Sequence, residues 1–310
     1  MKMHTQSLAA KRIWKYSPLY LMMLPGLAYL LINNYLPMFG LVIAFKDINF
    51  AKGIWGSDWV GFQNFKFLFQ TSDAYIITRN TLLYNAAFIV IGLVVAVAFA
   101  ILLNEIKSKF ASRLYQSLII LPFLISMVLV SYLVFSMLSM ENGFMNKTVL
   151  PLLGIDPIAW YNEPKYWPVI LTLVHTWKGA GYACIIYLAA IIGIDTEYYE
   201  AATLDGASKW HQIRLITIPL ITPVIIMLTL LQIGRIFYSD FGLFYQVPMN
   251  AGALFDTTNV IDTYVFRGLL QLGNIGMSSA AGFYQSLVGF VLVIVSNYVV
   301  RKINKENALF

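Results

Sequence analysis

The stretch Asp195-Thr-Glu197-Tyr-Tyr-Glu200-Ala-Ala-Thr-Leu-Asp205-Gly-Ala-Ser-Lys-Trp-His-Gln-Ile-Arg-Leu-Ile-Thr-Ile-Pro219 lies between two long apolar runs. It reads as a helix, a tight turn and a second helix. Asp195 and Glu197 suit a helix N-terminus, where the backbone dipole favours negative charge. Ala201 and Ala202 are small and helix-favouring. Asp205-Gly206 is a turn signal. Trp210, Ile213 and Leu215 then form an apolar stripe, and Pro219 marks the start of the next apolar run. A short helix with small residues on its face, set across a bundle, makes a knob for a groove in a soluble partner. One acidic group on it pairs with a basic residue in that groove.

Outward from this loop the chain is dominated by apolar runs. Of its 310 residues 59% are hydrophobic and 12% charged, whereas a soluble domain carries about 25% charged residues. So little polar surface cannot cover a water-soluble fold, and the remainder needs lipid. A helix of about 20 apolar residues spans the hydrocarbon layer. Six stretches qualify: 19–44, 81–103, 115–138, 167–192, 216–238 and 282–300. Backbone groups in lipid must be satisfied within the segment, so each is expected to be helical. The first run follows Lys11, Arg12 and Lys15 as a secretory signal would. It is too long for one and lacks a small-residue cleavage site, so it is expected to be a retained helix. The expected fold class is an all-α membrane protein of six transmembrane helices, with a single transmembrane domain over 1–310.

Basic residues set the orientation. Lys2, Lys11, Arg12, Lys15, Lys107, Lys109, Arg113, Lys209, Arg214, Arg301, Lys302 and Lys305 fall densely on one side. Lys46, Lys52, Lys66, Arg79, Lys147, Lys165 and Arg267 are spread over the longer loops of the other. Both termini and the 195–219 loop are therefore expected in the cytoplasm. The net charge of +6 is scattered at the ends of apolar runs, where lipid phosphates sit, and not gathered for nucleic acid. Among the outer loops, Phe62, Phe65, Leu68 and Phe69 fall at helical spacing. They fit either a short helix lying on the membrane surface or ordinary packing under a loop. The segment 239–281 is too apolar for a free linker and is expected to fold back at the mouth of a cavity or to re-enter it.

Several chemistries are excluded. Cys184 is the only cysteine, and His4, His175 and His211 are far apart, so no metal site is expected. There is no G-x-x-x-x-G-K-[ST] phosphate loop, no H-E-x-x-H and no G-x-S-x-G. No catalytic residue and no cofactor are expected, and any ATP must be hydrolysed by another chain.

The resemblance to a known family is carried first by the loop. Glu200-Ala-Ala-x-x-Asp205-Gly-Ala207, followed by Ile218-Pro219-Leu220, resembles the EAA loop of permease subunits of binding-protein-dependent ABC importers. Further resemblances run along the chain: Pro25-Gly26-Leu27, Tyr35-Leu-Pro37-Met38, Ala44-Phe-Lys46, Trp59-Val-Gly-Phe-Gln-Asn-Phe65, Leu103-Asn104-Glu105 and Leu121-Pro122. They are similar to carbohydrate-type, maltose-permease-like subunits. Asp240-Phe-Gly-Leu-Phe-Tyr-Gln-Val247 and Tyr298-Val-Val-Arg-Lys-Ile-Asn304 resemble the branch that imports oligosaccharides, uronic-acid types included. The resemblance implies a type I ABC-importer permease fold in a bacterial cytoplasmic (inner) membrane, with a cytoplasmic coupling helix. It implies a second permease, two ATP-binding subunits, an extracytoplasmic solute-binding protein and a carbohydrate substrate. Glu200 would pair with the ATPase, Gly206 would allow the turn, and Ala201, Ala202 and Ala207 would fit its groove, with Asp205 and Pro219 completing the loop.

Intramembrane polar residues are costly and mark pathways or partners. Lys178 serves either assembly or substrate contact. Arg235, Tyr238, Asp240 and Tyr245 cluster in sequence. The arginine either grips a uronate carboxylate or braces the helix end by pairing with Asp240. Gln232, Tyr284, Gln285 and Asn297 are polar points suited to hydrogen bonds between helices, with Tyr284 a further path candidate. Two other readings compete. A self-sufficient secondary transporter or channel predicts an inverted repeat with broken helices, which the sequence does not display. A membrane enzyme predicts a catalytic cluster at one depth.

Overall fold

The computed structural model describes residues 15–303, without the side chains of residues 67–69. Lys2, His4, Lys11, Arg12, Asn304, Lys305 and the side chains of Leu68 and Phe69 thus lie outside the described residues. The first span runs Ser17–Phe45. It begins as α1, Ser17–Leu30, passes a π-helical turn over Leu31–Tyr35 and ends as a 3-10 segment, Leu36–Phe45. The π turn directly precedes Pro37, whose missing N–H disturbs the helical ladder. Then follow α2 (Gln63–Gln70), α3 (Asp73–Asn104), α4 (Lys109–Leu124), α5 (Met127–Leu138) and α6 (Trp167–Ile192). The loop helix α7 (Thr196–Leu204) leads to α8 (Lys209–Ile233). Two short helices, α9 (Phe241–Gln246) and α10 (Ile261–Leu270), precede α11 (Ile275–Ile303).

Five segments are long and apolar enough to cross a membrane, and α4 with α5 makes a sixth if the pair counts as one. The continuous span expected over 115–138 is not present, because α4 and α5 meet at 94°. Two local causes act together. Pro122 in the last turn of α4 removes a donor and cannot continue the ladder. Ser126 then starts α5 afresh, its hydroxyl accepting from Leu129 N at 3.4 Å.

The half of the bundle next to the 195–219 loop is built on small residues. Ala96 and Ala100 of α3 are fully buried against Cys184, Tyr187, Leu188 and Ile191 of α6, with Ile221 of α8 closing the cluster. Without a side chain at Gly181, α4 reaches the α6 backbone; a Cβ there would lie 2.0 Å from the Ile119 carbonyl oxygen.

The opposite half is packed differently. Segment 239–281 folds back on the bundle, burying Leu243, Phe244, Val247, Leu254 and Val260 among Tyr84, Phe88, Val130, Trp167 and Leu171. Of the two readings of α2, packing under the loop accounts for Phe65, which is buried against Phe45 and Phe283 at ring distances of 5.3 and 5.8 Å. Beside it a two-residue β-pair, Lys46↔Trp59 and Asp47↔Asp58, closes a hairpin. Buried Lys46 holds that hairpin by donating to the carbonyls of Ile54, Trp55 and Ser57 at 2.9–3.1 Å.

Candidate coupling loop and translocation path

The loop 195–219 is ordered by its own main chain. Asp195 caps α7, its carboxylate accepting from Glu197 N at 3.0 Å. At the other end Gly206 N donates to Thr203 O and Ala207 N to Ala202 O, at 3.1 and 2.9 Å. This Schellman closure requires a left-handed residue at Gly206, which has φ +77°. Ala202 and Ala207 are half-buried at the two ends of the 2.9 Å bond, whereas Glu200, Ala201, Leu204 and Asp205 are exposed. Leu204 is an apolar side chain 90% exposed among the described residues. Ser208 caps the start of α8, accepting from His211 N at 3.4 Å.

One expectation about this loop needs correction. Pro219 does not begin the fifth span, because α8 is already helical from Lys209. Pro219 sits just beyond a π-helical turn, Ile213–Thr217, that precedes the donor-less position. The apolar stripe of Trp210, Ile213 and Leu215 is largely uncovered, Trp210 and Leu215 being 67% and 66% exposed. The buried residues here are polar: Gln212 donates to Thr203 Oγ1 at 2.9 Å, and Thr217 Oγ1 meets the Tyr199 hydroxyl at 2.9 Å. The sequence carried little sign of them, since an amide amid Lys, Trp and Arg reads as surface.

The path candidates separate into three groups. Lys178 is occupied elsewhere: its ammonium donates to the carbonyls of Pro122, Phe123 and Ile125 at 3.3, 2.9 and 2.6 Å. It thereby caps the C-terminus of α4, where orphan carbonyls and the helix dipole favour a cation. Tyr245 is stacked on Phe241 and set against Phe266 of α10, each at 5.0 Å. Tyr284 meets Thr78 Oγ1 at 3.2 Å, joining α11 to α3.

Arg235, Tyr238 and Asp240 lie together on a non-helical stretch. The span expected over 216–238 stops at Ile233, and 234–240 is irregular. Four of its main-chain groups are held from three other helices. Asn85 of α3 donates to Ile236 O and Tyr238 O at 2.9 and 3.1 Å. Gln285 of α11 donates to Phe237 O at 2.8 Å and to Asp262 Oδ2 at 3.1 Å. The same Asp262 oxygen accepts from Ser239 N at 2.7 Å. Phe237 is buried by this arrangement, while Arg235, Tyr238 and Asp240 are exposed. The Arg235–Asp240 pair does not form: Asp240 caps α9 through Leu243 N at 3.1 Å, and among the described residues Arg235 is in no ion pair. Measured up α3, Asn85 stands about 28 Å above the Asn104 end, so the irregular stretch lies near the far edge of a roughly 30 Å hydrocarbon layer.

A helical membrane bundle with a rigid, exposed helix-turn-helix at one face and an unwound polar stretch near the other is the layout of a transport permease. Residues 88–305 match the family described as binding-protein-dependent transport system inner membrane component, and the chain belongs to that family. It is 36% identical over 288 residues to the polygalacturonan/rhamnogalacturonan transport system permease protein YteP of Bacillus subtilis (strain 168), covering 93% of this chain and 89% of that protein. It is 33% identical to protein LplB of the same organism, with 93% and 90% covered. Among solved structures it is similar to a chain of a bacterial ABC transporter involved in import of the acidic polysaccharide alginate, with TM-score 0.87, 33% identity and 96% and 99% covered. The fold is therefore that of a type I ABC-importer permease, a multi-pass component of the inner membrane.

Proposed function

We propose that this chain is one of two transmembrane subunits of an importer that carries an oligosaccharide inward, driven by ATP hydrolysis in separate subunits. An extracytoplasmic solute-binding protein delivers the sugar. The observation that carries the reading is the loop 195–219: an ordered helix, capped at both ends, with Glu200 and Leu204 exposed on it. An exposed carboxylate beside an exposed leucine suits a groove with a basic residue and an apolar floor. The loop and both termini face the cytoplasm in this reading.

Arg235, Tyr238 and Asp240 line the substrate path. Exposed polar groups held on an unwound stretch at this depth suit a water-filled cavity. A guanidinium with no ion pair offers a two-pronged contact to a uronate carboxylate, which favours acidic oligosaccharides. The named cargoes of the relatives, alginate and polygalacturonan, are of that chemistry.

The test is mild detergent extraction from the native membrane with mass spectrometry of co-purifying chains. A second permease and an ATPase are expected. Glu200→Lys should insert normally and lose the ATPase at least tenfold. Full ATPase recovery with that variant would refute the docking role, and a wild-type chain that transports alone would refute the importer.

A further inference from the structure

We propose that Tyr199, Gln212 and Thr217 are positioning residues for coupling: they fasten α7 to the first turns of α8 at two separate points, so that both helices move as one lever. The inference rests on the reading of α7 as the ATPase contact.

The geometry is specific. On α7, Tyr199 and Thr203 are four residues apart and share a face. On α8, Gln212 and Thr217 are five apart, a spacing that in a regular α-helix would set them about 140° apart. The turn between them is π-helical, with Ile218 N donating to Ile213 O. The extra residue in that turn brings Gln212 and Thr217 round to one side, and both are buried at 4% exposure. Two ties result. Gln212 Nε2 donates to Thr203 Oγ1 at 2.9 Å, and the Tyr199 hydroxyl meets Thr217 Oγ1 at 2.9 Å. Thr203 Oγ1 in turn donates to Tyr199 O at 2.7 Å, linking the two on α7.

A single tie leaves a hinge, whereas two ties at different heights resist rotation. A push on α7 then reaches α8 as a tilt of the whole helix. At the far end of α8 begins the unwound stretch 234–240, so the lever runs from the loop to the outer mouth. The ion pair of Lys209 with Glu105 at 3.4 Å is largely exposed and contributes little by comparison.

The test uses the assembled importer in lipid nanodiscs with its binding protein. Hydrogen exchange is followed by mass spectrometry with and without ATP plus vanadate. In wild type, nucleotide should alter exchange both at 196–204 and at 234–246. Tyr199→Phe combined with Thr217→Val removes one tie with almost no change of shape, and Gln212→Leu removes the other. With either set, the ATPase should still co-purify and the 196–204 response should persist, while the 234–246 response falls by half or more. Thr217→Ser alone, which keeps a hydroxyl opposite Tyr199, should leave the 234–246 response at the wild-type level. A full outer response in the combined Tyr199→Phe, Thr217→Val, Gln212→Leu protein would overturn the lever. A wild-type protein that gives no 196–204 response would overturn the docking reading itself, a distinct result.

Discussion

Lys178→Met separates a lysine that builds the fold from one that touches substrate. The ammonium makes three hydrogen bonds to carbonyls at the end of α4. Methionine keeps much of the length and removes every donor. Side-chain hydrogen bonds inside membranes contribute about 0.6 kcal/mol on average, and those with a charged partner about 1.5 kcal/mol or more. Three bonds therefore place the loss between about 2 and 5 kcal/mol. Cys184 is the only cysteine in the chain, is fully buried and lies on the same helix as Lys178. Its labelling by a thiol dye reports opening of this part of the bundle. A loss of about 2 kcal/mol raises the open population roughly thirtyfold, and labelling should accelerate by that factor or more. Lys178→Arg, which keeps charge and donors, should stay within a few-fold of wild type. The reasoning fails if Lys178→Met labels at the wild-type rate, and doubly so if uptake is then lost, because that outcome belongs to a residue in the path.

Gly206→Val forces a β-branched residue to φ +77°, at roughly 1–2 kcal/mol. The chain should accumulate in the membrane while ATPase co-purification falls severalfold, and Gly206→Asn should retain most of it. Gly181→Leu drives a Cβ into the Ile119 carbonyl and should abolish accumulation on an immunoblot of membranes. Gly179→Leu, where a Cβ meets nothing within 4 Å, should be tolerated. Gln285→Leu strands the Phe237 carbonyl, an orphan worth about 1–3 kcal/mol. It should raise the apparent KM for uptake several-fold in the assembled importer, with ATPase recovery unchanged.

The spans were legible because transfer of apolar side chains to lipid is local and additive along the chain. The caps of α7 were legible for the same reason, since Asp195 and Gly206 act on neighbouring backbone. What the sequence hid were breaks set by distant partners. Pro122 in an apolar run is compatible with a kinked helix or a complete turn, because neighbours can satisfy the freed carbonyls. That Lys178, on another helix, does so decides for the turn. The end of α8 is a similar case. The apolar run continues past Ile233, and only Asn85, Gln285 and Asp262 together make an irregular 236–239 tolerable. Gln285 was recognisable as a polar point suited to bonding between helices. Its acceptor, a main-chain carbonyl of an unwound stretch, was not.

The orientation we propose was read by counting basic residues, and the structure supplies a reason for that count to matter. On the side taken as outer, Lys46, Arg79 and Arg267 are held within the protein, and Lys52 and Lys165 are in exposed ion pairs. Lys46 is caged by three carbonyls. Lys52 pairs with Asp58, and Lys165 with Glu163. Arg79 donates to Asp256 O at 2.7 Å. Arg267 donates to Asn250 and Asn259 and lies 4.1 Å from the centre of the Phe255 ring. Only Lys66 and Lys147 of that set have no such partner among the described residues. On the other side only Lys209 is in an ion pair among the described residues, an exposed one with Glu105, while Lys107, Lys109, Arg113, Arg214, Arg301 and Lys302 form none. Charges already bound by the protein have little left to offer a lipid surface, whereas free ones are drawn to anionic headgroups by about 1 kcal/mol each. The asymmetry is thus steeper than the bare count. It favours the face that carries α7 as the cytoplasmic one, the side that the proposed ATPase contact requires.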